Sequence, residues 1–122
     1  MKSREGLIRA KQFKAQEKRR QVAQIEAMIA EFERMARDLD DQVAAEQERS
    51  GIHDIDHFAY PTIAKAAIQR RDNLIASTNE LRERLRVAEN DCAEAENELM
   101  KFEALAERDQ ERHTSRVPEA VA

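Results

Sequence analysis

Apolar residues recur along the first half of the chain with alternating steps of three and four. Val22, Ile25, Ile29, Phe32, Ala36, Leu39 and Val43 fall on successive a and d positions of a heptad, and all seven are apolar. That repeat predicts a long helix with one narrow apolar seam. Met28 and Met35 sit beside the seam at g and widen the stripe. Upstream the repeat weakens: Ile8 and Ala15 keep it, but Lys11 and Lys18 occupy d positions. The second half carries its own seam through Ala64, Ala67, Arg71, Leu74, Thr78, Leu81, Leu85, Ala88, Cys92, Ala95, Leu99, Phe102 and Ala106. Arg71 and Thr78 break that pattern. Glu33 to Arg37, Arg34 to Asp38 and Glu80 to Arg84 are opposite charges four apart, placed to pair on outer helix faces.

Two signals separate the helices. Ser50-Gly51 predicts a stop, because glycine accepts the left-handed conformation that follows a last turn. Tyr60-Pro61 predicts a start, because proline suits the first helical position and disfavours helix in the residue before it. The resulting organisation is a helix over 3–49, a connector over 50–60 and a helix over 61–112. The connector carries Ile52, Ile55, Phe58 and Tyr60, with room for a short helical turn capped by Asp54 or Asp56. Residues 113–122 hold Pro118 and no seam residue, and read as a disordered tail. Each helix would be roughly 70 Å long at 1.5 Å per residue.

Composition narrows this further. The 122 residues include only 2 Gly and 2 Pro, too few turn formers for a sandwich, a barrel or a doubly wound sheet. Ala, Glu, Lys, Leu and Arg make up about half the chain, as in long helices and coiled coils. Apolar content suffices for a seam between two helices and not for a wide core.

The net charge of −4 matters less than its distribution. Residues 1–20 hold Lys2, Arg4, Arg9, Lys11, Lys14, Lys18, Arg19 and Arg20 against Glu5 and Glu17. Residues 89–111 hold Glu89, Asp91, Glu94, Glu96, Glu98, Glu103, Glu107, Asp109 and Glu111 against Lys101 and Arg108. An antiparallel return lets these segments neutralise each other. The expected fold is therefore all-α: two long helices forming an antiparallel coiled-coil hairpin over residues 1–112. Large-to-small matching in such a hairpin would set Phe32 near Thr78 and Ala36 near Leu74.

Candidate chemistry is sparse. His53-Asp54-Ile55-Asp56-His57 has metal-ligand residue types, but no cysteine or second cluster completes a site, and a polar turn with capping carboxylates is the favoured reading. His113 is isolated. Cys92 lies on the seam, where a thiol packs as a small apolar group, and nothing cationic nearby in sequence would activate it. A single cysteine closes no intrachain disulfide and fits a reducing compartment. No apolar h-region follows residues 1–5, and no run approaches a membrane span.

The basic N-terminal run could meet phosphates, but Phe13 is its one interleaved aromatic, so a paired helix face is favoured over nucleic acid. Leu7, Ile8 and Phe13 offer only a small face to a membrane surface. No phosphate loop, nucleophile–base pair or carboxylate pair points to catalysis, and no cofactor is expected. Phe58 and Tyr60 in the connector read as end caps of the apolar seam, with a binding role compatible with that.

Four stretches carry a family likeness. Lys18-Arg19-Arg20-Gln21-Val22-Ala23-Gln24-Ile25-Glu26 precedes the long seam, and His57-Phe58-Ala59-Tyr60 ends the connector. Gln69-Arg70-Arg71-Asp72-Asn73-Leu74 and Glu98-Leu99-Met100-Lys101-Phe102-Glu103-Ala104-Leu105-Ala106-Glu107-Arg108 follow. Over residues 1–112 the chain resembles the flagellar export protein FliJ family in its alphaproteobacterial form. The resemblance implies a non-enzymatic, cytoplasmic stalk of the type III export apparatus at the inner membrane. It implies binding to the export ATPase ring through the paired terminal ends, to the cytoplasmic domain of the export gate, and to export chaperones. Ring contacts would then fall on Arg4, Arg9, Lys11, Lys14, Lys18, Arg19, Arg20, Glu98 and Glu103, with Glu94 and Glu107 beside them. Lys11 and Lys18, by weakening the seam, would leave polar faces for a partner. Gate contacts would fall on Phe58, Tyr60, Ile63, Arg70 and Arg71. The equivalent stalk of a virulence-type secretion system and a homodimeric coiled-coil scaffold are the rival readings.

Overall fold

The computed structural model describes residues 3–116. Two helices, α1 (Arg4–Ser50) and α2 (Thr62–Arg116), account for nearly all of them, with no strand among the described residues. The described residues group into two compact units, one of residues 3–22 with 87–116 and one of residues 23–86. A helix pair packs layer by layer, so each stretch can hold itself together with local contacts. The first is called the terminal unit below and the second the loop unit.

Each helix boundary has a local cause. Ser3 caps α1: its carbonyl accepts from the Leu7 N–H at 3.2 Å and its Oγ accepts from the Gly6 N–H at 3.3 Å. Gly51 ends α1 at φ +73°, with its N–H bonded to the Gln47 carbonyl at 2.9 Å. That is the left-handed glycine stop expected from the sequence. Pro61 stands one position earlier than expected. Its carbonyl accepts from the Lys65 N–H at 3.1 Å, so it caps α2 and Thr62 is the first helical residue. At the other end α2 runs past residue 112 to Arg116, because Pro118 lies too far on to stop it earlier. The rest of the expected tail, residues 117–122, lies outside the described residues.

The connector forms no helical turn. Two tight turns follow one another, the His57 N–H donating to the Asp54 carbonyl at 3.1 Å and the Tyr60 N–H to the His57 carbonyl at 3.0 Å. Asp54 caps the first turn by accepting from the Asp56 N–H at 3.0 Å. The double turn sends Phe58 and Tyr60 opposite ways. Phe58 is 97% exposed, stacked only on His57 at 4.7 Å, whereas Tyr60 is 7% exposed and accepts from Gln47 Nε2 at 2.9 Å.

In the loop unit α1 and α2 run antiparallel as a helical hairpin. Ile25, Ile29, Phe32, Ala36, Leu39 and Val43 of α1 are buried or half-buried, as are Leu74, Leu81 and Leu85 of α2. Ion pairs Asp40–Arg71 (2.9 Å) and Glu33–Arg82 (3.2 Å) cross between the helices. On the flanks of the pair Ala36 lines a depression together with Thr78, and Leu39 lines a groove together with Leu74. Thr78 is buried on the seam and takes no hydrogen-bond partner from α1 among the described residues. Its hydroxyl donates back to the Leu74 carbonyl at 2.8 Å, which satisfies the polar group inside its own helix.

In the terminal unit the helix ends are also antiparallel. Val22, Leu99 and Phe102 are half-buried, and Ala15, Ala88 and Ala95 are buried. Small residues let the two backbones approach closely there. Four ion pairs within a helix join residues three apart, and a fifth, Arg71–Asp72, joins neighbours. Arg20 pairs with Glu17, Arg34 with Glu31, Arg49 with Glu46 and Arg86 with Glu83. The expected Glu33–Arg37 and Arg34–Asp38 pairs do not form. Glu33 turns across to Arg82, and Arg34 reaches back to Glu31.

Candidate partner-binding surfaces

The terminal unit brings the basic start of α1 against the acidic end of α2. Arg4 bridges Asp109 and points a second contact at the Leu105 carbonyl, 3.5 Å away. Lys11 donates to Glu98 at 2.5 Å with its ammonium 5.3 Å from the centre of the Phe102 ring. Arg19 donates to Glu96 at 2.8 Å. Lys11 is therefore not the open polar face its d position suggests. Its stem fills the seam and its charge is spent on α2, as expected for a long amphipathic side chain at an interface.

The nine residues implied as ring contacts divide accordingly. Arg4, Lys11 and Arg19 are tied across to α2, Glu98 to Lys11, and Arg20 to Glu17 along its own helix. Arg9, Lys14, Lys18 and Glu103 make no ion pair within 4 Å among the described residues. Lys14 and Lys18 share a shallow surface depression of about 210 Å³ with Asp91, Glu94, Ala95 and Glu98. Outward-facing charge on this unit is thus mixed in sign.

These contacts set the titration of two carboxylates. The hydrogen bond from Arg19 holds Glu96 below its ordinary value of 4.5, helped by the Cys92 thiol. The hydrogen bond and charge of Lys11 hold Glu98 below the same value. A folded-state pKa that is depressed stabilises the fold above the unfolded pKa and loses that contribution as pH falls through the folded pKa. Amide protection of residues 4–22 and 87–116, corrected for intrinsic exchange, is expected to decline as the pH is lowered below 4.5. Both carboxylates are only half-buried, so the decline is small. Protection that stays constant down to pH 3, or rises, would refute the linkage.

Cys92 is half-buried, and its Sγ donates to Glu96 at 3.4 Å. Burial raises its pKa, the hydrogen bond to Glu96 adds to this, and only the nearby Arg19 opposes it. The thiol stays protonated and acts as a packing group. Arg19 is a cation that α2 alone could not reveal, because it comes from the other helix.

The loop unit carries the residues implied as gate contacts. Phe58 and Ile63 are exposed. Tyr60 is not available as a contact, because its ring is inside and its hydroxyl is engaged by Gln47. Arg71 holds Asp40 at 2.9 Å and Asp72 at 3.1 Å, and both bonds raise its pKa, so its guanidinium is a clasp between helices. Arg70 is exposed and lines a groove of about 450 Å³ with Met35, Asp38, Leu39, Asn73 and Leu74. The sequence marks this groove only through Met35, the g-position residue that widens the stripe.

The histidine segment uses its polar atoms locally. Asp54 caps a turn, and His57 Nδ1 accepts from the Ala59 N–H at 3.0 Å. No group of three potential metal-ligating side chains converges among the described residues. No helix there is long and apolar enough to cross a membrane. Compared with protein-family profiles, curated proteins and solved structures, the chain matches none.

Proposed function

We propose that this chain is a non-enzymatic stalk of a type III protein export apparatus of the flagellar kind. In this reading it works in the cytoplasm at the inner membrane. The terminal unit engages the ring of the export ATPase, and the loop unit meets the cytoplasmic domain of the export gate. Export chaperones are further partners. The family likeness of residues 1–112 motivates the assignment. The observation that supports it best is the construction of the terminal unit. Its two helix ends are locked together by Arg4–Asp109, Lys11–Glu98 and Arg19–Glu96, while Arg9, Lys14 and Lys18 stay outside those pairs. A unit held by its own charges can present the remaining ones to a ring lining without coming apart. On the loop unit, Phe58, Ile63 and Arg70 are the exposed groups for a gate contact; Tyr60 and Arg71 serve the fold instead.

The test is ATP hydrolysis by the export ATPase of the same organism, with this chain added at increasing ratio. Stimulation saturating well below one chain per ATPase subunit is expected, as one stalk per ring requires. Arg9→Glu with Lys14→Glu should raise the half-maximal concentration about tenfold or more while leaving helicity intact. No stimulation and no co-migration with the ATPase would overturn the assignment. Stimulation only of a virulence-system ATPase would move it to that apparatus.

A further inference from the structure

The two flanks of the loop unit are finished differently. One is crossed by Asp40–Arg71 and Glu33–Arg82 and keeps only a smaller depression of about 210 Å³. The other holds the groove over Met35, Leu39 and Leu74, with Asp38 on the α1 rim and Arg70 on the α2 rim. Met35 is 42% exposed in it. Neither Asp38 nor Arg70 has an ion-pair partner among the described residues, although their neighbours do. Arg34 is taken by Glu31, and Arg71 by Asp40 and Asp72. An apolar floor between two unspent, opposite charges is the unusual feature of this flank.

We infer that this groove is where a second copy of the chain docks. Let the copy be turned by 180° about an axis running along the groove. Its α1 then lies over this α2, and its α2 over this α1, with no shift along the helices. Asp38 and Arg70 line the same groove at nearly the same level, so each Arg70 meets the other copy's Asp38. Symmetry makes the pair twice. Met35 of each copy covers the floor of the other. Every neighbouring pair of helices in the resulting four-helix bundle is antiparallel. An axis across the helices would instead lay α1 on α1 and bring carboxylate rims together, so the charges select the first arrangement. The terminal unit takes no part, and the inference does not rest on the export reading.

Sedimentation of the full chain from roughly 1 to 500 μM tests it, since a contact of this size is expected to be of micromolar strength or weaker. The mass should rise from 14.1 kDa towards twice that value. Asp38→Arg and Arg70→Glu, each alone, put like charges on both rims and should weaken association about tenfold or more. Mixed in equal amounts, the two weakened variants should pair with each other more tightly than either does with itself. The double variant should pair with itself. Circular dichroism controls for folding, since neither side chain holds an ion pair among the described residues. A wild-type chain that stays monomeric throughout, a dimer indifferent to both variants, or a mixture that fails to associate would each overturn the inference.

Discussion

Ala15→Asp should take apart the terminal unit. Ala15 is 0% exposed, and its heptad level on α2 is occupied by Ala95, 4% exposed. The nearest ion pairs, Lys11–Glu98 and Arg19–Glu96, lie one turn to either side and already use their cations. A carboxylate at 15 would enter the closed layer facing Ala95, beside two other carboxylates, and could reach the unpaired Lys18 only by leaving that layer. An unpaired charge in such a place costs several kcal/mol, or forces its own protonation at similar cost. Aspartate also helps a helix interior less than alanine, by about 0.6 kcal/mol. Loss of about 3 kcal/mol or more is expected, about a hundredfold fall in amide protection across residues 4–22 and 87–116. Exchange measured by mass spectrometry on those segments checks it. The conservative control is Ala15→Ser, expected near 1 kcal/mol. Equal protection in Ala15→Asp and the parent chain would mean that the helices do not close at this layer.

The second large effect falls on Tyr60. Its ring is the one aromatic of the connector that reaches the core, and its hydroxyl ends on Gln47. Tyr60→Ala removes both and should cost about 3 kcal/mol or more, as aromatic-to-alanine changes in cores do. Tyr60→Phe keeps the ring and loses one half-buried hydrogen bond, expected near 1 kcal/mol. Phe58→Ala, two residues away on an exposed ring, should stay within about 0.5 kcal/mol. Thermal or denaturant unfolding of the three variants gives the order directly. If Phe58→Ala proved as costly as Tyr60→Ala, the double turn would not sort the aromatics as described.

That contrast also marks where sequence reasoning stops. Helical periodicity assigns a face to every residue from Val22 to Val43, because the repeat and the geometry have the same period. The seam residues of both helices are accordingly buried or half-buried. The antiparallel pairing was legible as well, since only that direction sets the basic segment against the acidic one. A connector has no period. Whether Phe58 or Tyr60 points inward depends on two backbone bonds, Asp54–His57 and His57–Tyr60, that no spacing rule supplies. Charge pairs fail for another reason. Glu33 has a cation four residues on in its own helix and another across the hairpin, and only the register decides between them. Lys11 follows the same logic: it reads as a flaw in the seam until Glu98 and Phe102 are beside it. The groove with Asp38 and Arg70 needs all three pieces, two helices and their register, before it exists.

One property of the core reaches beyond these contacts. Among the described residues no large side chain is wholly enclosed, and the two positions with no exposure at all are Ala15 and Ala64. The heat-capacity change of unfolding scales with the apolar surface that becomes hydrated, about 12–15 cal/mol/K per residue in ordinary domains. A chain that hides so little per residue falls below that range. Its free energy of unfolding therefore bends only gently with temperature, giving a broad, shallow optimum. Such a protein loses stability only slowly on either side of that optimum, and any ligand of the folded form would add to it.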